Sequence, residues 1–349
     1  MNGESRLDEV GEDWIIENVF APRYRAQGTG RFGDDVAVAI ANLSSERGAF
    51  VATVDPCPPP AAFELGATDP YLWGWLAATI NLSDLAASGA RPVGLLNSLQ
   101  LPPEMRLRDL HRLLDGLDSA AAEANTQVIG GNIKESKNVD VTVTGLGVAY
   151  PRTLSREGGM PGHSLIAVGP LGAFWAEFLD IRRTGDLAGL SAVAYPRAQV
   201  AAGQLLVRCP AVKACTDNSD GLGVAALHIA RAAGCGVVLE PDECEYSPNV
   251  RRIADAIGVS PLRLAIGWGD WNLVCAVPSA DEAGVKAELA RQGIASSRIG
   301  HLINEPGLHV QEGGVTRSVA PLASERLTKS SWMTSGLSGY IEQLLSWGN

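Results

Sequence analysis

Residues 35–40 and 49–55 form two short apolar runs, rich in β-branched residues and bounded by polar or Gly/Pro segments. Such runs are the signature of strands, and their closeness along the chain predicts that they pair. Before them, mixed charge over residues 1–32 and a Gly-rich stretch at Gly28, Gly30 and Gly33 predict a short helix near 13–20 followed by a loop. After them, Pro58, Pro59 and Pro60 withhold ladder donors, so residues 56–60 are expected to form a loop.

From Asp69-Pro70 the pattern turns helical, with Asp69 as N-cap and Pro70 in the first turn, and it runs to a stop near Gly89. This is the most apolar window of the chain. Asn81, Ser83 and Asp84 in its second half make it a buried helix rather than a membrane span. A strand at 92–101, a helix at 107–125, a strand at 127–129 and a long alternating strand at 139–150 follow. Residues 151–163 hold two prolines and three glycines and read as a linker. Beyond it the pattern begins again, with strands at 164–168, 212–216 and 236–239, a Gly-rich turn at 169–172 and a helix at 221–233. The expectation is an α/β sandwich of two domains, 1–150 and 151–349.

Composition narrows the function. Of 349 residues, 46% are hydrophobic and 19% charged, as in folded globular proteins. The net charge of −11 has the wrong sign for a protein that neutralises nucleic-acid phosphates. No nucleic-acid or membrane partner is expected. The six cysteines form no C-x-x-C pair and the N-terminus has no leader pattern, which predicts a reducing, cytoplasmic setting. Cys57, just past Asp55, has no neighbour in sequence that would lower its pKa.

Four acidic stations stand at predicted strand or helix boundaries: Gly33-Asp34-Asp35, Thr53-Val54-Asp55, Asn81-Leu82-Ser83-Asp84 and Asp217-Asn218-Ser219-Asp220-Gly221. Singly, each reads as a turn or cap aspartate, Asp220 as the N-cap of the helix after it. Together they suit magnesium, which takes oxygen ligands and bridges carboxylates to phosphates.

These stations, with the run from Asn81 through Leu85-Ala86-Ala87-Ser88-Gly89-Ala90-Arg91-Pro92, resemble the motifs of thiamine-monophosphate kinase. That family shares a superfamily, the PurM-like enzymes, with aminoimidazole ribonucleotide synthetase, selenophosphate synthetase and the hydrogenase maturation protein HypE. The resemblance implies two α/β domains, a homodimer whose N-terminal sheets join in a barrel, and ATP near the dimer interface. It also implies metal ligation by Asp34, Asp35, Asp55, Asp84, Asp217 and Asp220, with Asp84, Asp217 and Asp220 catalytic. Asp34, Asp35, Asn81, Ser83, Gly130, Gly131, Asn132, Arg156 and Ser219 would contact the nucleotide, and Lys134 is a further phosphate-side cation. With no P-loop pattern in the chain, carboxylate-bound magnesium would hold the triphosphate.

The chain departs from the family at chosen places. Gly130-Gly131-Asn132 stands for Gly-Gly-Asp, Pro161-Gly162-His163 for Pro-Gly-Asp, and Gly267-Trp268-Gly269-Asp270-Trp271-Asn272-Leu273 for Gly-Gly-Glu-Asp-Tyr-Glu-Leu. The family's aromatic C-terminal ending is not recognisable in residues 344–349. These changes fall on acceptor and nucleotide contacts, so the resemblance implies phosphoryl transfer to a small acceptor more firmly than it implies thiamine monophosphate. Trp268, Trp271 and Trp332 are read as either an aromatic wall for a ring-bearing acceptor or core. The competing readings are ATP activation of a carbonyl, amide or carboxylate oxygen followed by nitrogen attack, and a non-catalytic nucleotide-binding protein.

Overall fold

The computed structural model describes residues 14, 17, 18, 37–39, 48–322 and 332–348. The helix expected near 13–20 lies largely outside them, and Gly33, Asp34 and Asp35 lie wholly outside. Five strands of the first half form one sheet: β1 (Ala37–Ala39), β2 (Ala49–Cys57), β3 (Ala90–Leu101), β4 (Val128–Glu135) and β5 (Asp140–Ala149), in the order β1-β2-β5-β3-β4. Neighbours are antiparallel except β3 and β4, which run parallel. β1 and β2 pair as the sequence predicts.

Helices α1 (Pro70–Ala87) and α2 (Leu107–Glu123) pack with this sheet. Along β5 the face toward α1 is buried, at Val141, Val143, Gly145, Gly147 and Ala149, while the alternate residues are part-exposed. Asp69 caps α1 by accepting the Tyr71 N–H at 3.0 Å, with Pro70 at its start. α1 is apolar on nearly every side because it has neighbours on nearly every side. Its crossing with α2 is close. A Cβ on Gly74 would strike the Leu113 carbonyl, and one on Gly116 would strike the Tyr71 carbonyl.

The second half builds a seven-stranded sheet from β6 (His163–Val168), β7 (Ala214–Asp217), β8 (Gly236–Leu239), β9 (Leu273–Pro278), β10 (Ser296–Ile303), β11 (Gly307–Glu312) and β12 (Val315–Val319). Their order is β12-β11-β8-β10-β6-β9-β7. Helices α3 (Ala173–Thr184), α4 (Val200–Leu206), α5 (Leu222–Ala232), α6 (Pro248–Ile257), α7 (Pro261–Ile266), α8 (Glu282–Arg291) and α9 (Trp332–Ser346) complete it. Among the described residues both sheets are open. The mixed α/β class matches the sequence reading.

The halves are not loosely tethered. One apolar core contains Trp75, Leu113 and Val143 from the first half with Leu206, Cys275 and Val277 from the second. α4 packs along α1, with Gly203 set against the Ala86 backbone. Residues 151–162 are irregular, as expected of a linker, yet they are tied down. Arg152 donates to the carbonyls of Val207, Cys209 and Val212 at 3.1, 2.7 and 2.8 Å.

Two expectations are corrected. β2 runs on through Pro56 to Cys57, keeping register with β5, where Pro56 stands opposite Thr142 and Cys57 opposite Val141. β4 extends to Glu135 and takes in Gly130, Gly131 and Asn132 as strand residues. Among the described residues it pairs with β3 alone and is exposed, and its polar, glycine-containing sequence carries no alternation to announce it. No helix among the described residues is long and apolar enough to cross a membrane.

Candidate active site

The last turns of α1 carry Asn81, Ser83 and Asp84, and two hydrogen bonds fix them to different sheets. Thr53 Oγ1 on β2 donates to Asp84 Oδ2 at 2.5 Å. Ser83 Oγ donates to Asp217 Oδ2 at 2.9 Å, across to the second half. Ser219 Oγ donates to Asp217 Oδ1 at 3.1 Å, so both oxygens of this buried carboxylate are engaged by hydroxyls. Asp55 lies two residues beyond Thr53 on β2, which places both on one face of the strand. Three of the four acidic stations therefore converge around the C-terminal end of α1. The fourth, Asp34 and Asp35, lies outside the described residues.

β7 ends at Asp217 because residues 218–221 turn sharply into α5. The Asn218 N–H donates to the Asn272 carbonyl at 2.9 Å. The helix boundary is Gly221, at φ 102°, with no side-chain cap. The expectation that Asp220 caps this helix is thus corrected; Gly221 takes the position because its backbone lies against the Ile266 carbonyl. Asn218 is fully buried and neither of its amide atoms has a hydrogen-bond partner among the described residues; the same holds for Asn81 Oδ1 and Asn272 Oδ1. Orphaned buried amides are costly, about 1–3 kcal/mol each, and mark a place where a missing partner belongs.

Arg156 Nε donates to Thr216 Oγ1 at 3.2 Å, which sets its guanidinium beside the end of β7. Its charge adds to burial, the larger cause, in pushing the pKa of His228 down to about 3, so that imidazole is neutral at physiological pH. Burial, with the Asp55 charge adding to it, raises the Cys57 thiol well above its usual range, as suits an inert core cysteine.

Gly130, Gly131, Asn132 and Lys134 are placed apart from this group. In register, Asp55, Val143, Asn97 and Gly131 form one row across the sheet, which sets Gly131 three strands, or roughly 14 Å, from β2. The whole of β4 beyond Val128 is exposed.

The sequence gives no sign of Tyr340, on α9. Its buried hydroxyl accepts the Trp268 N–H at 3.3 Å, and its ring lies 5.4 Å from Trp175 and 5.8 Å from Trp268. Burial raises its pKa, and the nearby Asp220 charge adds to the rise. The hydroxyl on the C-terminal helix thus feels the charge of Asp220. Trp268 belongs to this aromatic group, while Trp271, at φ 51°, is buried in the core shared by the two halves. The side chain of Trp332 lies outside the described residues.

Asp270 accepts the Gly172 and Phe174 N–H groups at 2.6 and 3.0 Å and so closes the first turn of α3. Complete burial nevertheless outweighs these donors and lifts its pKa to about 7. A carboxyl whose folded pKa exceeds its unfolded value makes the fold less stable as pH rises from about 4 to about 7, with no further loss above. Chemical denaturation across pH 5 to 8 is expected to show that slope, and Asp270→Asn to flatten it. Asp270 also lines a cavity of about 550 Å³ with Tyr71, Trp75, Arg112 and Tyr195 at the other end of α1. Arg112 is already paired there with Asp69.

Fold and constellation together describe a two-sheet α/β protein in which the segments carrying Asp55, Asp84 and Asp217 meet at the end of a buried helix. Family models described as AIR synthase related protein, N-terminal domain and C-terminal domain, match residues 33–149 and 160–313. The chain is 32% identical to thiamine-monophosphate kinase of Synechococcus elongatus over 67% of its own length and 73% of that protein. It is 30% identical to carbamoyl dehydratase HypE of Rhodobacter capsulatus over 73% of its length and 78% of that protein. The solved structure of AaThiL complexed with AMPPCP and TMP superposes with a TM-score of 0.76 at 24% identity, covering 93% of this chain and all of the other. The chain belongs to the AIR synthase related family and is an enzyme of the PurM-like superfamily.

Proposed function

We propose that this protein is an ATP- and magnesium-dependent phosphotransferase of the thiamine-monophosphate kinase type, acting on a small-molecule acceptor. The observation that carries the reading is the pair of hydrogen bonds that holds Asp84 to β2 and Ser83 to Asp217. They gather carboxylates from three separate segments. The 32% identity to a thiamine-monophosphate kinase and the fold shared with a protein complexed with the ATP analogue AMPPCP support it.

The donor set fits magnesium by its chemistry. It is all oxygen, from Asp55, Asp84, Asp217 and Asp220, with the unpartnered amide oxygen of Asn81 beside them. Among the described residues no three His, Cys, Asp or Glu side chains form a closed metal-holding group. The described carboxylates would then supply one or two ligands per ion, with phosphate oxygens among the others, as is usual for magnesium. Bound magnesium would draw charge from the phosphate oxygens as the γ-phosphoryl moves. The chain's own part is positional. Thr53 fixes one oxygen of Asp84, Ser83 and Ser219 fix both of Asp217, and Arg156 offers a guanidinium for phosphate oxygens. Asp220 would add a carboxylate on the side of the site nearer Tyr340, whose hydroxyl its charge influences.

Calorimetry with Mg·AMPPCP and assay of ADP release over a panel of phosphate-bearing alcohols test the reading. Absence of nucleotide binding would end it. The 30% identity to a carbamoyl dehydratase favours a second reading, activation of an amide oxygen. That reaction releases free phosphate with a dehydrated product, whereas a kinase leaves the phosphate on its acceptor.

The protein is further read as a cytoplasmic homodimer, with domains 1–150 and 151–349 and no nucleic-acid partner. The dimer reading rests on the face of the first sheet that no described residue covers. There Val54, Thr144, Leu96 and Gly130 form one row in register, Val54 at 60% exposure, and β4 is the edge strand among the described residues. Sedimentation should give a dimer for the wild type and a monomer for the double variant Val54→Glu, Leu96→Glu; a wild-type monomer would remove this part.

A further inference from the structure

The two residues at the end of α1 are held from opposite directions. Successive side chains on a helix diverge by about 100°. Ser83 therefore reaches the second sheet while Asp84 reaches the first. What lets Asp84 come within reach of β2 is a gap on β5. Gly145 stands directly across from Thr53, and a Cβ there would lie 3.1 Å from Thr53 Cγ2, 3.2 Å from Leu85 Cδ1 and 3.3 Å from Asn81 Cβ. The helix settles into that gap, and the Thr53 hydroxyl meets the carboxylate at 2.5 Å.

Resting on the phosphotransferase reading, we infer that Thr53 is a positioning residue, one that sets the orientation of the Asp84 carboxylate toward the metal-bound nucleotide. A carboxylate on a helix has a broad terminal torsion. One short hydroxyl donor from a rigid strand selects one setting of it, and leaves the plane of the group fixed before ligand arrives. Supporting partners of this kind typically alter metal affinity or activity by about 10- to 100-fold when removed. Val has nearly the shape of Thr without the donor, and it suits a strand. The side chain's packing against Gly145 is therefore kept while the hydrogen bond is lost.

The test uses the full chain and calorimetric binding of AMPPCP, with and without magnesium, to wild type, Thr53→Val, Thr53→Ser, Asp84→Asn and the double variant Thr53→Val, Asp84→Asn. Thermal melting of each protein reports the fold. Thr53→Val is expected to weaken Mg·AMPPCP about tenfold while leaving metal-free AMPPCP unchanged, and Thr53→Ser to restore the wild-type value. In the Asp84→Asn background, the Thr53→Val change should add nothing, because its effect runs through that carboxylate. If Asp84→Asn weakens binding but Thr53→Val does not, the inference fails and the reading of the site stands. An equal loss from Thr53→Val in both backgrounds also overturns it, by assigning the effect to the strand. If Asp84→Asn itself leaves Mg·AMPPCP binding intact, the reading of the site falls first and takes the inference with it.

Discussion

Asp84→Asn is expected to lower kcat/KM on the order of 10³-fold, about 4 kcal/mol of transition-state stabilisation, while the protein melts as the wild type does. The substitution keeps the size of the side chain and an oxygen able to accept from Thr53, so the structural loss is small. What it removes is a full negative charge at the point where β2, α1 and β7 converge. Phosphoryl transfer is catalysed almost wholly by alignment and charge neutralisation, so a ligand charge lost there is felt mainly in the rate. Asp220→Asn should also act on the rate, because it removes a negative charge from the same short turn as Asp217. Steady-state kinetics on both variants decides. An Asp84→Asn enzyme of undiminished kcat/KM would remove the central argument for the site.

The largest effect on the fold is expected from Gly116→Val, which should cost about 3 kcal/mol or more, with Gly74→Val comparable. At this crossing each helix meets backbone of the other, so a new side chain cannot be accommodated by a rotamer change in its neighbour. The helices must part, and the core shared by the two halves parts with them. Urea unfolding with a midpoint near that of wild type would show that α1 and α2 can separate cheaply. Gly66→Ala serves as control for the loss of a glycine as such: it carries the strain of φ 89° but no nearby atom.

Much of the fold was legible because the helices and strands that matter are long and patterned. The Asp69-Pro70 start of α1, the alternation of β5 and the apolar run of β8 are local signals, and each element forms as read. β4 was read short because an exposed edge strand buries no face and so shows no period. Asp220 was read as a cap from its place before a helix, but the sharp approach of Gly221 to Ile266 is a long-range contact, invisible from composition. The site was legible as motifs and not as geometry. Asn81 to Asp84 and Asp217 to Asp220 are recognisable in sequence, whereas the Ser83 to Asp217 bond spans 134 positions. Thr53 stands in the sequence only as the start of the Asp55 station, because a threonine in a strand is ordinary; the facing Gly145 and the bond to Asp84 make it distinctive. Tyr340 escaped notice because its partner, Trp268, lies 72 residues away.

The glycine crossing of α1 with α2 also bears on redesign. A helix held by backbone contact keeps its height and rotation whatever side chains it carries at its far end. The aspartate end of α1 can therefore be treated as a fixed mount, on which the acid, amide and hydroxyl groups are exchangeable parts. Under the proposed function, changes of specificity are then best sought outside α1, with residues 70–80 left untouched.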